Sequence, residues 1–173
     1  RGHRLKSPEG EAVRPTIDRV KEAIFSSVSH LVYGSRFLDL FAGSGAIGIE
    51  ALSRQAAEVY FVEDNPSHID VVKQNLEHVK KAIPNGNFHV INSDGILALD
   101  SFNKNRIVFD IIFLDPPYES GLIEKSTELI EKYGLLSDGG IIIAETPEAR
   151  NIDFAGSVNI IKTKKYGKVC IYY

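Results

Sequence analysis

The chain has 173 residues, 43% of them hydrophobic and 25% charged, with a formal net charge of −3. That is long enough for one domain, 1–173, with its own core; it holds no apolar run of membrane-spanning length, and no secretory leader is expected. The single cysteine, Cys170, excludes an internal disulfide framework and points to a reducing, cytoplasmic compartment. The five histidines are scattered without metal-ligand spacing, so no metal site is expected.

Charge is unevenly spread. Residues 1–21 carry +3, residues 162–173 carry +4, and the middle of the chain carries −10. Basic ends on an acidic body suit an anionic partner that touches one part of the surface, although exposed termini are also Lys-rich for solubility alone. The start at Arg1, without an initiator, gives the expectation that the basic segment 1–15 is incomplete.

Taken in order, Pro15-Thr16 opens a helix with Thr16 as N-cap, and Ile17, Val20, Ile24, Val28 and Leu31 follow at helical spacing. Arg36–Leu40 is a short strand, followed by a glycine-rich turn and a small-residue helix from about Ala46 to Arg54. Glu58–Val62 is strand-like, and Asn65-Pro66 starts a helix whose buried stripe is Ile69, Val72, Leu76 and Val79. A strand over Asn87–Ile91 precedes a helix from Asp94 to about Phe102, then a strand over Phe109–Leu114 and a helix near Gly121–Tyr133. Asp138-Gly139-Gly140 reads as a turn into a fifth strand, Ile141–Glu145. Val158–Lys162 and Val169–Tyr173 read as the arms of a hairpin joined through residues 164–168. The fold class is therefore α/β: a mostly parallel sheet with helices on both faces and a C-terminal antiparallel hairpin. Ligands of such folds sit beyond the carboxyl ends of the strands.

The first strand ends in Asp39-Leu40-Phe41-Ala42-Gly43-Ser44-Gly45-Ala46-Ile47-Gly48, where Gly43, Gly45 and Gly48 satisfy G-x-G-x-x-G. Asp39 lies inside that strand end and needs a donor, which a ligand ammonium would supply. Glu63 closes the second strand, where an acid accepts from ribose hydroxyls. An acid beside the loop disfavours a pyrophosphate, so S-adenosylmethionine fits better than a nicotinamide dinucleotide. Asp94, after the third strand, suits an adenine amine or, equally, a helix N-cap.

The fourth strand ends Asp115-Pro116-Pro117-Tyr118. Prolines fix the backbone and donate nothing, so the Pro116 carbonyl and the Asp115 carboxylate form two acceptors on a stiff corner. Two converging acceptors suit an exocyclic –NH2 on a base, and Tyr118 offers a face on which that base stacks. Holding both hydrogens directs the nitrogen lone pair toward a methyl carbon, with positioning and desolvation supplying most of the acceleration.

These motifs are similar to a known family. RPTIDRVKEAIF at 14–25, FLDLFAGSGAIGIEALSR at 37–54, FVED at 61–64 and FDIIFLDPPY at 109–118 resemble the RsmD family over nearly the whole chain. Members are bacterial methyltransferases that modify the N2 amine of a guanine in small-subunit (16S) ribosomal RNA. The resemblance implies a Rossmann-like class I S-adenosylmethionine-dependent methyltransferase fold with a seven-stranded sheet. It also implies cofactor contacts at Asp39, Gly43, Gly45, Glu63 and Asp94, and a target-base grip at Asp115, Pro116 and Tyr118. Arg14 and Thr16 match the family segment that borders the active-site mouth. With them Arg19, Lys164 and Lys165, and also Arg1, Arg4, Lys6 and Lys168, become candidate RNA contacts. The departures are Gln55, where a glycine is usual, and the absent start.

The expected partner is ribosomal RNA or the assembled small subunit, bound by a monomer with no membrane and no metal. Competing expectations are an adenine-N6 methyltransferase acting on DNA, a nicotinamide oxidoreductase and a non-catalytic RNA-binding assembly factor. The oxidoreductase is disfavoured by Asp39 and by the lack of a Tyr-x-x-x-Lys arrangement.

Overall fold

A computed structural model of the chain describes residues 5–7, 15–83, 85–117, 121–149, 152, 154 and 156–173. Strands form where β-branched and aromatic residues run together between turn residues. They are β1 (Arg36–Leu40), β2 (Glu58–Glu63), β3 (Phe88–Asn92), β4 (Phe109–Leu114), β5 (Leu136–Thr146), β6 (Thr163–Tyr166) and β7 (Val169–Tyr172). Among the described residues they make one seven-stranded sheet in the order β3-β2-β1-β4-β5-β7-β6. The first five are parallel; β7 pairs antiparallel with β5, and β6 antiparallel with β7. Strand order switches direction between β1 and β4, which leaves a crevice at their carboxyl ends.

The helices are α1 (Pro15–Ser27), α2 (Ser29–Val32), α3 (Ala46–Ser53), α4 (Pro66–Val79), α5 (Gly95–Lys104) and α6 (Leu122–Tyr133). They divide between two cores. Phe25 and Val28, Ala51 and Leu52, and Val72 and Leu76 cover Phe37, Phe61, Phe113 and Ile143 on one face. Ala98, Leu99 and Phe102 with Ile123 and Ile130 cover Leu38, Leu40, Ile112 and Leu114 on the other. Side chains alternate along a strand. Asp39, Glu63, Asp115 and Glu145, each two residues beyond a first-core position, therefore belong to the face that carries α1, α3 and α4.

Three local expectations change. The helix begins at Pro15, so Thr16 is its second residue rather than its N-cap, because proline's missing N–H and fixed φ suit the first helical position. Asp138-Gly139-Gly140 is not a turn before a strand but an irregularity within β5. Leu136 pairs with Phe109, pairing resumes at Ile141 opposite Ile111, and Gly139 takes φ +76°. A Cβ on Gly140 would stand 2.9 Å from the Asp110 and Ser137 carbonyl oxygens, so the backbone closes there only around glycine.

The hairpin is shifted as well. Its first arm is Thr163–Tyr166, not Val158–Lys162. The tight turn at Gly167-Lys168, with Gly167 at φ +64°, fixes Tyr166 opposite Val169 and so sets every pair behind it. No helix among the described residues is long and apolar enough to cross a membrane.

Candidate active site

The turn leaving β1 is held by β2. Phe41 N and Ala42 N both donate to the Val62 carbonyl, at 3.0 and 2.8 Å, and Phe41 takes φ +81° to reach it. Gly43 (φ +53°) and Gly45 (φ +74°) continue the bend, with Gly45 as the N-cap of α3. Gly48 serves packing instead: a Cβ there would lie 2.2 Å from Phe61 Cε1, so its absence lets α3 press onto β2. That approach also brings Gly48 N to Asp39 Oδ2 at 2.9 Å. The donor that the sequence left to a ligand is thus supplied in part by the chain.

Four carboxylates cross the strand ends on one face in sheet order: Glu63 on β2, Asp39 on β1, Asp115 after β4 and Glu145 on β5. Asp39 is 2% exposed. Burial pushes its carboxyl up to about 8 against the opposing Gly48 hydrogen bond, and the charges of Asp115 and Glu63 add to the rise. Glu145 is likewise pushed up to about 8, by burial and then by Asp115. It stands beside that residue because Ala144 pairs with Leu114 one position earlier. Glu63 Oε2 accepts from Gly43 N at 2.8 Å and Oε1 from Asn65 N at 3.0 Å, which fastens the glycine turn to the end of β2. Among the described residues no Lys or Arg pairs with Asp39, Glu63 or Glu145; His68 Nδ1 lies 3.5 Å from Glu63. A row of strand ends so rich in acceptors favours a cationic, donor-rich ligand and opposes a phosphate.

The corner after β4 opens to solvent: Asp115 and Pro117 are exposed and Pro116 is buried. Its acid lies close enough to Asp39 for Asp39 to feel its charge. Asp94 caps α5, with Oδ1 accepting from Ile96 N at 2.8 Å and Leu97 N at 3.0 Å, and its side chain is exposed at the edge of the same crevice.

The resulting arrangement matches known proteins over most of its length. The sequence profile described as "Conserved hypothetical protein 95" matches residues 1–173. Ribosomal RNA small subunit methyltransferase D of Escherichia coli K12 is 36% identical over 146 residues, which cover 84% of this chain and 70% of that protein. The chain belongs to the RsmD family. The family protein of the same name from Haemophilus influenzae is 35% identical over 98% of this chain and 86% of its own length. The solved yhhF structure from E. coli superposes with a TM-score of 0.85 at 33% identity, over 99% of this chain and 91% of that one. The architecture is the Rossmann-like fold of class I S-adenosylmethionine-dependent methyltransferases, with the C-terminal antiparallel hairpin of the family.

Of the residues singled out from sequence, Asp39, Gly43, Gly45, Glu63, Asp94, Asp115 and Pro116 gather at the carboxyl ends of four neighbouring strands. Tyr118, Arg14, Arg1 and Arg4 lie outside the described residues, as does the side chain of Thr16. Arg19 is exposed on α1. Lys164 and Lys165 point to opposite faces of the hairpin. Lys164, opposite Ile171, donates from Nζ to Ser27 Oγ of α1 at 2.9 Å, whereas Lys165, opposite Cys170, is exposed. The hairpin tip, with Lys168, projects from the end of the sheet where Thr146 pairs with Cys170, the carboxyl end of β5.

Two residues were not singled out from sequence. Glu145 looked like the last residue of an ordinary strand. Asn75, 1% exposed, donates to the carbonyls of Ser44 and Lys6 and accepts from Lys6 N at 2.8 Å, which ties the N-terminal segment to the glycine turn. A polar residue beside Leu76 in the buried stripe of α4 was the available signal for Asn75.

Proposed function

We propose that this chain transfers a methyl group from S-adenosylmethionine to the exocyclic N2 amine of a guanine in small-subunit ribosomal RNA. The observation that carries the reading is the row of carboxylates that begins at the glycine turn and ends at the Asp115-Pro116 corner. It joins a cation-accepting pocket to an amine-accepting one across a single strand gap of about 5 Å. The relatives named as small-subunit ribosomal RNA methyltransferases support the substrate class.

S-adenosylmethionine, when bound, supplies a methyl group on a positively charged sulfur. Asp39 would hold its amino group, Glu63 its ribose hydroxyls and Asp94 its adenine amine, while Gly43 and Gly45 leave room for close backbone approach. Asp115 and the Pro116 carbonyl accept the two amine hydrogens of the target base. Asp115 then takes up the proton that the methylated nitrogen releases. A base reaches this corner only by leaving its stack, and Lys165 and Lys168 at the hairpin tip hold phosphates beside it.

The test is methyl transfer from labelled donor into small subunits lacking the modification and into plain DNA, with nucleoside mass spectrometry of the product. N2-methylguanine in ribosomal RNA is expected. Transfer only to DNA, or N6-methyladenine as the product, overturns the reading. Asp115→Ala should abolish turnover and leave RNA affinity nearly intact, which separates an enzyme from a binding factor that keeps the fold.

A further inference from the structure

Glu145 is half-buried on the acid-bearing face, one position past the Leu114–Ala144 pair and so alongside Asp115 on the neighbouring strand. On its other side β7 presents Ile171, which brings no charge or donor. Among the described residues none donates a hydrogen bond to the Glu145 carboxylate. Asp39 answers its own burial with the Gly48 N–H, and Glu63 with two backbone N–H groups. Glu145 alone of these three is left with acceptors to fill.

The two target amines differ in what stands next to them. Guanine's exocyclic amine is flanked by two ring nitrogens, N1, which carries a hydrogen, and N3, which presents a lone pair; adenine's amine is flanked by N1 alone, which presents a lone pair. An ionised acid on the N1 side of the amine grip therefore welcomes guanine and repels adenine. Adjacent strands lie about 4.8 Å apart. That spacing sets a carboxylate on β5 beside a base whose amine is held at the end of β4.

We propose that Glu145 accepts the N1–H of the target guanine and is thereby the residue that discriminates guanine from adenine at this site. The inference rests on the guanine reading above and deepens it. Burial and the neighbouring Asp115 charge, which raise Glu145, make its ionised form depend on an incoming N–H.

The experiment compares wild type, Glu145→Leu and Glu145→Gln on unmodified small subunits, reading kcat/KM, product base, donor affinity and melting temperature. Glu145→Leu removes the acceptor at similar volume, and replacing a donorless, half-buried carboxylate should leave melting equal or higher. Its kcat/KM for guanine should fall about 10- to 100-fold while donor affinity stays within about twofold. Glu145→Gln keeps an acceptor oxygen and should recover most of the loss. Values within twofold of wild type in both variants overturn the proposal, and so does equal loss in both, which would make the charge rather than the acceptor the cause. A wild-type product other than N2-methylguanine instead overturns the guanine reading, so the two failures are distinguishable.

Discussion

Replacing Asp39 with asparagine should stabilise the empty protein at high pH while weakening its hold on the donor. The carboxyl moves from an ordinary 3.8 to about 8 on folding, chiefly through burial. The folded chain therefore binds this proton more tightly than the unfolded chain does. That contribution is complete below about pH 4 and is lost as pH rises through about 8. At about 1.4 kcal/mol per unit, forcing the folded protein to carry the ionised group costs up to roughly 6 kcal/mol.

Asparagine keeps an oxygen for Gly48 N–H and never ionises. Urea unfolding at pH 5, 7 and 9 should show the variant gaining on wild type by about 2–5 kcal/mol between the extremes. A bound ammonium reverses the sign for the wild type, because it favours the ionised acid. Wild-type donor affinity measured by calorimetry should therefore climb with pH toward 8. The variant should bind about 10- to 100-fold more weakly, with a flat profile. Parallel stability curves for the two proteins, or an asparagine variant less stable at pH 9, would refute the reasoning.

Gly48→Ala places a methyl group 2.2 Å from Phe61 Cε1. Overpacking of about 1–3 kcal/mol should outweigh the roughly 1 kcal/mol gained in helix propensity. Melting should fall by about 3–6 °C, and donor affinity should drop with it because Asp39 loses its Gly48 alignment; an unchanged melting curve would show that α3 does not press on β2. Lys165→Glu with Lys168→Glu should weaken RNA binding and flatten the plot of log affinity against log salt by about 1.4, the equivalent of two phosphate contacts. Donor affinity should not move, and an unaltered salt slope would place the RNA elsewhere.

Much of the site is legible because its residues carry their chemistry in local sequence. The run at 37–48 shows strand, acid, glycine bend and helix in order, and Asp115-Pro116 follows β4 so closely that no tertiary contact is needed to find it. Asp94 shows its dual character in sequence, and the structure realises the capping half through two backbone N–H groups. Glu145 was hidden because nothing local separates it from any strand-ending glutamate. Only the pairing of β5 with β4, after the irregularity at Asp138–Gly140, sets it next to Asp115. The position of the hairpin is hidden from local sequence for a related reason. Val158–Lys162 has strong strand propensity, but the turn at Gly167-Lys168 dictates register, and propensity is the weaker influence.

The sequence by itself determined the class of elements, the glycine bend, the acid that closes β2 and the rigid corner after β4. Each of these follows from side-chain period, proline and glycine stereochemistry, or the solvation needs of a carboxylate. Tertiary structure alone decided which acids share a face and which strands become neighbours. It also decided that Gly48, through contact with Phe61, would bring its amide to Asp39. The physical reason is that strand order and register are fixed by the packing of both sheet faces at once, a condition that no single segment of the chain contains.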